Sequence, residues 1–319
     1  MNICLISFDY WNYDQHIVAA LKQKGITANH IDINTFTYHY SSRFEKIKNF
    51  FTKLIFNKNI KKIKRNEFII NELNKLGKQD AILVIRPDLI SLKTHFLIKQ
   101  YTTNYIAYIY DSCKRFPVDH LLNNVFNTIY SFDLKDVKKY HFKHIPNYIY
   151  LPKKELTTHF KYDVFIILSI DERLALLNKL AAYFDTINVN YKFMVVNKRK
   201  PDNLHKNIEY TNKEVRPDDL KMYLNEAKVF LDLVRHGHNG LSFRIFEALA
   251  YQRKVITSSP NVKQYDFYSD NNFCVINDDD FKIPSSFFKT DYQKLPKKTY
   301  QHFTIDNWVS IVFDLQNPS

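Results

Sequence analysis

The sequence predicts an α/β protein made of two doubly wound, mostly parallel sheets in tandem. Short runs rich in Ile, Val and Leu alternate with amphipathic helical patterns, as β-α-β units require. The alternation lapses around 145–161, where Pro146 and Pro152 fall, and then restarts. At 319 residues the chain has room for about two domains of roughly 150 residues each. The expected division is an N-terminal domain over 1–150 and a C-terminal domain over 151–319.

Each element has its own signal. NICLISFD (2–9) is an apolar run of the kind buried on both faces of a parallel sheet. DQHIVAALKQKG (14–25) follows as a helix with Ile17, Val18 and Leu21 on one face and Gly25 at its C-terminal cap. ITANHID (26–32) reads as a second strand, and one long helical region spans about 43–77, ending at Gly77. DAILVIRPD (80–88) is a third strand, stopped by Pro87. NYIAYIYD (104–111) and NTIYSFD (127–133) complete the first set.

In the second half, DVFIILS (163–169), YKFMVV (191–196), AKVFLDLV (227–234), KVITSS (254–259) and NFCVIN (272–277) read as strands. ERLALLNKLAAYF (172–184), DDLKMYLNEA (218–227) and FRIFEALAYQ (243–252) read as helices. DNWVSIVFDLQ (306–316) carries its own apolar stripe, and a last helix over 304–316 is placed to pack back on the first domain. Ligands of such sheets bind at the carboxyl ends of the strands, and two facing domains place one in the cleft between them.

Composition removes several function classes. Four glycines, where average usage gives about 22, leave no room for a G-x-G-x-x-G fingerprint or a P-loop. Cys4, Cys113 and Cys274 are too scattered for a disulfide framework or a zinc site, as expected of a reducing cytoplasm. The N-terminus has no basic n-region and too short an apolar run for a signal peptide, and no stretch approaches a spanning helix. A net charge of +13 favours partners of the opposite sign: nucleic acid, anionic lipid or a phosphorylated small molecule.

The stretch richest in chemistry is 231–259. A strand ends at Val234, a loop holds His236, Gly237, His238, Asn239 and Gly240, and a helix starts near Leu241 with Ser242 as its cap. The first N–H groups of that helix suit anionic oxygens, and Gly240 lets a phosphate approach. Arg244 adds a charged fork, and Glu247, three residues on, shares its helix face and can accept two sugar hydroxyls.

NGLSFRIFEALA (239–250) resembles the nucleotide-sugar motif of group 1 glycosyltransferases of the GT-B fold, roughly E-G-F-G-x-x-x-x-E-A-x-A. Asn239 stands where the family has its first glutamate, on the donor sugar, and Glu247 where it has its second, on the donor ribose. Arg244 is similar to the G-L-x-x-R-x-x-E-A-L variant of small polysaccharide-assembly transferases. YIYDS (108–112), YSFD (130–133), YDFYSDNN (265–272) and IPSSFF (283–288) resemble other segments of that group.

The resemblance implies an enzyme that moves a sugar from a nucleotide diphosphate-sugar to a glycan or lipid-linked acceptor in surface-polysaccharide or lipopolysaccharide synthesis. The donor side would comprise Arg173, His238, Asn239, Gly240, Leu241, Ser242, Arg244 and Glu247, with Arg173 on the pyrophosphate and Arg244 as the catalytic residue that stabilises charge on the leaving diphosphate. Asp111 ends a strand and reads as general base for the acceptor or as a helix cap; Asp9 reads as cap or acceptor contact. No cofactor and no metal is expected, the acidic run 278–280 reading as a loop. The rival readings are a basic nucleic-acid-binding protein, against which stands the lack of any such motif, and an inactive sugar-binding relative.

Residues 46–65 hold eight basic residues and no acidic one. Phe50, Phe51, Leu54 and Ile55, then Ile60 and Ile63, recur at helical spacing between lysines. Such a segment either lies in the headgroup plane of an anionic membrane, with Lys61, Lys62, Lys64 and Arg65 on the lipid, or forms an ordinary helix pair of the first domain with its apolar face on the sheet and its lysines in water. The first alternative makes the protein peripheral on the inner face of the cytoplasmic membrane.

Overall fold

The computed structural model describes every residue except 57, 58, 216, 279, 280 and 316–319. The chain divides into two compact units, one formed by Met1–Ile145 with the stretch from Val309 onward, the other by Pro146–Trp308. No helix among the described residues is long and apolar enough to cross a membrane.

The first unit runs β1 (Asn2–Ser7), α1 (Gln15–Gln23), β2 (Thr27–Asp32), α2 (Arg43–Phe56), α3 (Ile60–Leu76), β3 (Ala81–Ile85), α4 (Leu92–Lys99), β4 (Tyr105–Ile109), β5 (Thr128–Ser131), α5 (Leu134–Tyr140) and β6 (Lys143–His144). Its strands pair in parallel in the order β2-β1-β3-β4-β5-β6. β1 lies between β2 and β3, with Ile3 opposite Ala28 on one side and Ala81 on the other. Ile69 and Leu73 of α3 pack on Cys4, Ile6, Ile82 and Val84, which accounts for the unbroken apolar runs.

The long helical region expected over 43–77 is two helices, α2 and α3. Asn59 is extended and its side chain accepts the Lys61 N–H, so it caps α3, while Asn49 Oδ1 takes the Ile60 N–H at 2.8 Å. Asparagine competes with the helix for its own backbone, which favours a cap over a helix interior. Asn59→Ala is expected to lower the unfolding free energy of this unit by about 1 kcal/mol in urea melts. The break also separates the basic residues. Lys61 and Lys62 are exposed, whereas Lys64 pairs with Glu67 and Arg65 turns inward to the Leu89 carbonyl at 2.8 Å.

The second unit runs β7 (Tyr162–Ser169), α6 (Leu174–Thr186), β8 (Tyr191–Val196), β9 (Glu209–Thr211), α7 (Pro217–Glu226), β10 (Ala227–Asp232), α8 (Phe243–Tyr251), β11 (Lys254–Thr257), β12 (Phe273–Val275), α9 (Ser285–Lys289), α10 (Lys297–His302) and the start of α11 (Ile305–Val312). The terminal helix is thus shorter than the 304–316 expected, and residue 316 lies outside the described residues. From Val309 it counts with the first unit, where Tyr130 donates to the Ile311 carbonyl.

The second sheet is also all parallel, in the order β12-β11-β10-β7-β8-β9. Neighbouring residues of β7 enter opposite layers as the pleat dictates: Val164 belongs to the buried cluster that holds Leu177 and Phe184 of α6, and Phe165 to the one that holds Ile245 and Leu249 of α8. Counted within its unit this is the doubly wound dinucleotide-type order, whose direction reverses between β7 and β10. In the first unit the reversal lies between β1 and β3. Strand order alone therefore marks two places where a ligand can settle against the carboxyl ends.

Candidate functional site

At the β7/β10 reversal the chain gathers a charged cluster that straddles both strand ends. Asp171 accepts from Arg173 Nε (2.7 Å) and Nη2 (2.6 Å), and Arg235, just past β10, donates from Nε to Asp171 Oδ2 at 2.8 Å. Burial alone would raise the Asp171 carboxyl, but hydrogen bonds from Arg173 and Arg235 outweigh it and hold it at about 2. Arg173 also donates from Nη1 to the Leu233 carbonyl at 3.0 Å. Arg235 has no other side-chain bond among the described residues.

The loop after β10 turns at Gly237, whose φ of +85° favours glycine. It is pinned by His236 N–H to Glu172 Oε1 (3.1 Å) and by Asn239 Nδ2 to the Gly237 carbonyl (2.9 Å). The Asn239 carbonyl accepts from Asn261 Nδ2, and the His238 N–H donates to the Arg235 carbonyl. Gly240 and Leu241 are buried, and the Leu241 carbonyl accepts from Asn147 Nδ2 at 2.9 Å.

Ser242 caps α8 by accepting the Arg244 N–H, and its own hydroxyl donates to Asp232 Oδ1 at 2.7 Å. Asp232 Oδ2 takes a second hydroxyl, from Thr257 at 2.8 Å. A buried carboxylate at the end of β10 thus fixes the cap and aims the first turn of α8. Ser242→Ala is expected to cost the second unit about 1–2 kcal/mol, since it removes a cap and one partner of buried Asp232. Parallel urea melts of the variant and wild type check it.

Glu247 is 1% exposed, and each of its carboxylate oxygens has a partner. Oε1 accepts from Tyr150 at 2.6 Å, and Arg244 Nη1 lies 2.7 Å from Oε2. The i, i+3 spacing does place both charges on one face, but the pair is buried rather than solvated, with the guanidinium over Phe165 and Phe230.

No family model and no curated protein matches the sequence. Solved structures do. An apo structure of OtsA aligns over 100% of both chains with a TM-score of 0.58 at 10% identity. A UDP-forming α,α-trehalose-phosphate synthase from Burkholderia xenovorans, in complex with glucose-6-phosphate, aligns over 99% of this chain and 100% of its own, also at 0.58 and 10%. The N-terminal domain of a trehalose-6-phosphate phosphatase from Candida albicans scores 0.53 at 10% identity over 98% and 96% of the two chains.

The chain has the GT-B fold.

In this GT-B chain the first-unit candidates sit at strand ends and are already occupied. Asp9, after β1, accepts the Asp14 and Gln15 N–H groups (3.2 and 2.9 Å) and so closes the start of α1. Asp111, after β4, accepts the Ser112 N–H and pairs with Arg115 at 2.9 Å. Among the described residues no three His, Cys, Asp or Glu side chains gather as a metal site. Asp278 lies 4.0 Å from His236, while Asp279 and Asp280 lie outside the described residues.

Several groups escaped the sequence reading. Asp171 reaches Arg235 across 64 residues and Tyr150 reaches Glu247 across 97, and Asp232 carries no motif. Asp14 looked like an ordinary helix start. Burial and the Asp9 carboxylate push its carboxyl up to about 7, against a hydrogen bond with Ser7 and with a further push from Asp32. Arg86 follows β3 with φ +60°, forks onto Asp88 and lies 3.6 Å from the centre of the Phe116 ring. The one available signal was position: each follows the carboxyl end of a strand or pairs with a residue that does.

Proposed function

We propose that this protein is a glycosyltransferase that moves a sugar from a nucleotide diphosphate-sugar to a glycan or lipid-linked glycan, in surface-polysaccharide or lipopolysaccharide synthesis at the inner face of the cytoplasmic membrane. The observation that carries the reading is the turn 239–242, which opens α8 at the carboxyl edge of a dinucleotide-type sheet, beside the strand reversal. The structural neighbours support it, one of them a UDP-forming synthase.

In this reading the second unit binds the donor. The α8 N-terminus and Arg235 face the diphosphate and stabilise the charge that grows on it as the sugar leaves. Arg173, with its guanidinium clasped by Asp171, adds positive charge and holds the strand ends in place. His238, Asn239, Gly240 and Leu241 line the donor's sugar and phosphates. Glu247 presents its remaining lone pairs to the ribose, oriented by Arg244 and Tyr150. The first unit takes the acceptor, with Asp111 receiving the proton of the attacking hydroxyl and Asp9 shaping the strand end. No step in this scheme uses a metal or cofactor.

Thermal shifts with UDP, GDP, CMP and dTDP and their sugars test the reading. One nucleotide class is expected to raise the unfolding midpoint, and Arg235→Ala to weaken its binding roughly tenfold or more by removing charge-assisted hydrogen bonds. No shift with any of them, or full turnover by Arg244→Ala, would count against a donor site here.

A further inference from the structure

Helix α2 is built inside out. Among its described side chains the half-buried positions are Glu45, Asn49 and Thr52, a polar row at i, i+4 and i+7. Glu45 accepts from the Tyr38 hydroxyl and from Ser41, and Asn49 donates to the Tyr40 hydroxyl while accepting the Ile60 N–H. The polar face thus holds the helix to the protein.

The opposite face is apolar and bare. Phe44, Ile47, Phe50, Phe51 and Leu54 fall in a stripe about 120° wide at helical spacing. Phe44 is 84% exposed, Leu54 72% and Phe50 63%. The side chain of Ile55 lies outside the described residues. Lys46 and Lys48, both exposed, flank the stripe, one on each margin, and Lys61 and Lys62 are exposed at the start of α3.

We propose that α2 is an in-plane membrane anchor, gripped by its polar face so that its apolar stripe enters the headgroup layer of an anionic bilayer. Charge selects the occupant. Residues 43–65 carry nine basic residues and one acidic residue, and that residue, Glu45, is turned to the protein. A second copy packed on the same face would set these cations against each other, whereas anionic headgroups neutralise them as the aromatic side chains leave water. The inference rests on α2 and its neighbours and is independent of the sugar-transfer reading.

Flotation of the whole protein with phosphatidylcholine vesicles, with and without 30% phosphatidylglycerol, tests it without any nucleotide. Binding is expected to the anionic vesicles and to weaken with salt. Phe44→Ser, Phe50→Ser and Leu54→Ser together should reduce it at least tenfold with the unfolding midpoint unchanged, because these side chains bury little in the protein. Lys46→Gln with Lys48→Gln should reduce anionic binding alone. No binding by wild type, equal binding by the triple variant, or salt-sensitive binding to single-stranded RNA without vesicle binding would overturn it. Loss of nucleotide binding with vesicle binding retained would leave it standing.

Discussion

Glu247→Ala is expected to lower the unfolding free energy of the second unit by about 3–5 kcal/mol, the cost of removing one member of a buried ion pair. The Arg244 guanidinium cannot shed its charge, so it would be left over Phe165 and Phe230 without its carboxylate, and the Tyr150 hydroxyl would lose its bond to Glu247. Glu247→Gln still accepts from Tyr150 but loses the charge, and should fall between wild type and alanine. Replacing Arg244 and Glu247 together should cost less than the sum of the single changes, since no lone charge remains buried. Urea denaturation of the four proteins gives the cycle. A loss below about 1 kcal/mol for the alanine variant would mean that solvent reaches the pair.

A second large effect is expected from Asp14, read as a pH profile. Its carboxyl sits at about 7 in the fold against an ordinary value of 3.8. Between these values the folded protein keeps a proton that the unfolded chain has released. Stability therefore falls as pH rises through this window and is highest below it. The gap corresponds to on the order of 4 kcal/mol. His30 works the other way: burial holds it below its ordinary value, so its share is lost as pH falls under about 6.5. Comparing Asp14→Asn with wild type cancels the histidine and isolates the carboxyl. The two proteins should be of similar stability near pH 4, and the variant should be the more stable by a few kcal/mol near pH 8. Parallel profiles across that range would show that Asp14 ionises freely in the fold.

The division between local and distant information is visible in particular residues. The unbroken apolar run at β3 and the pattern leading into α8 were readable because side-chain period and cap chemistry act over a few residues. Ser242 as a cap and the shared face of Arg244 and Glu247 belong to the same class. The helical region expected over 43–77 is interrupted at Asn59, where a side-chain cap and a bond to Asn49 outweigh a continuous helical pattern.

What the amino-acid order determined alone was the two α/β halves, the helix that opens after Ser242 and the amphipathic character of α2. What the tertiary structure decided was strand order, and with it the meeting of Arg173, Asp171 and Arg235 at the β7/β10 reversal. It also decided that Tyr150 closes Glu247, that Asp14 is crowded by Asp9 and Asp32, and that α2 turns its polar face inward. The reason is range. Periodicity and capping are settled between neighbours in sequence, whereas partners, desolvation and the face a helix presents are settled by whatever the sheet brings alongside.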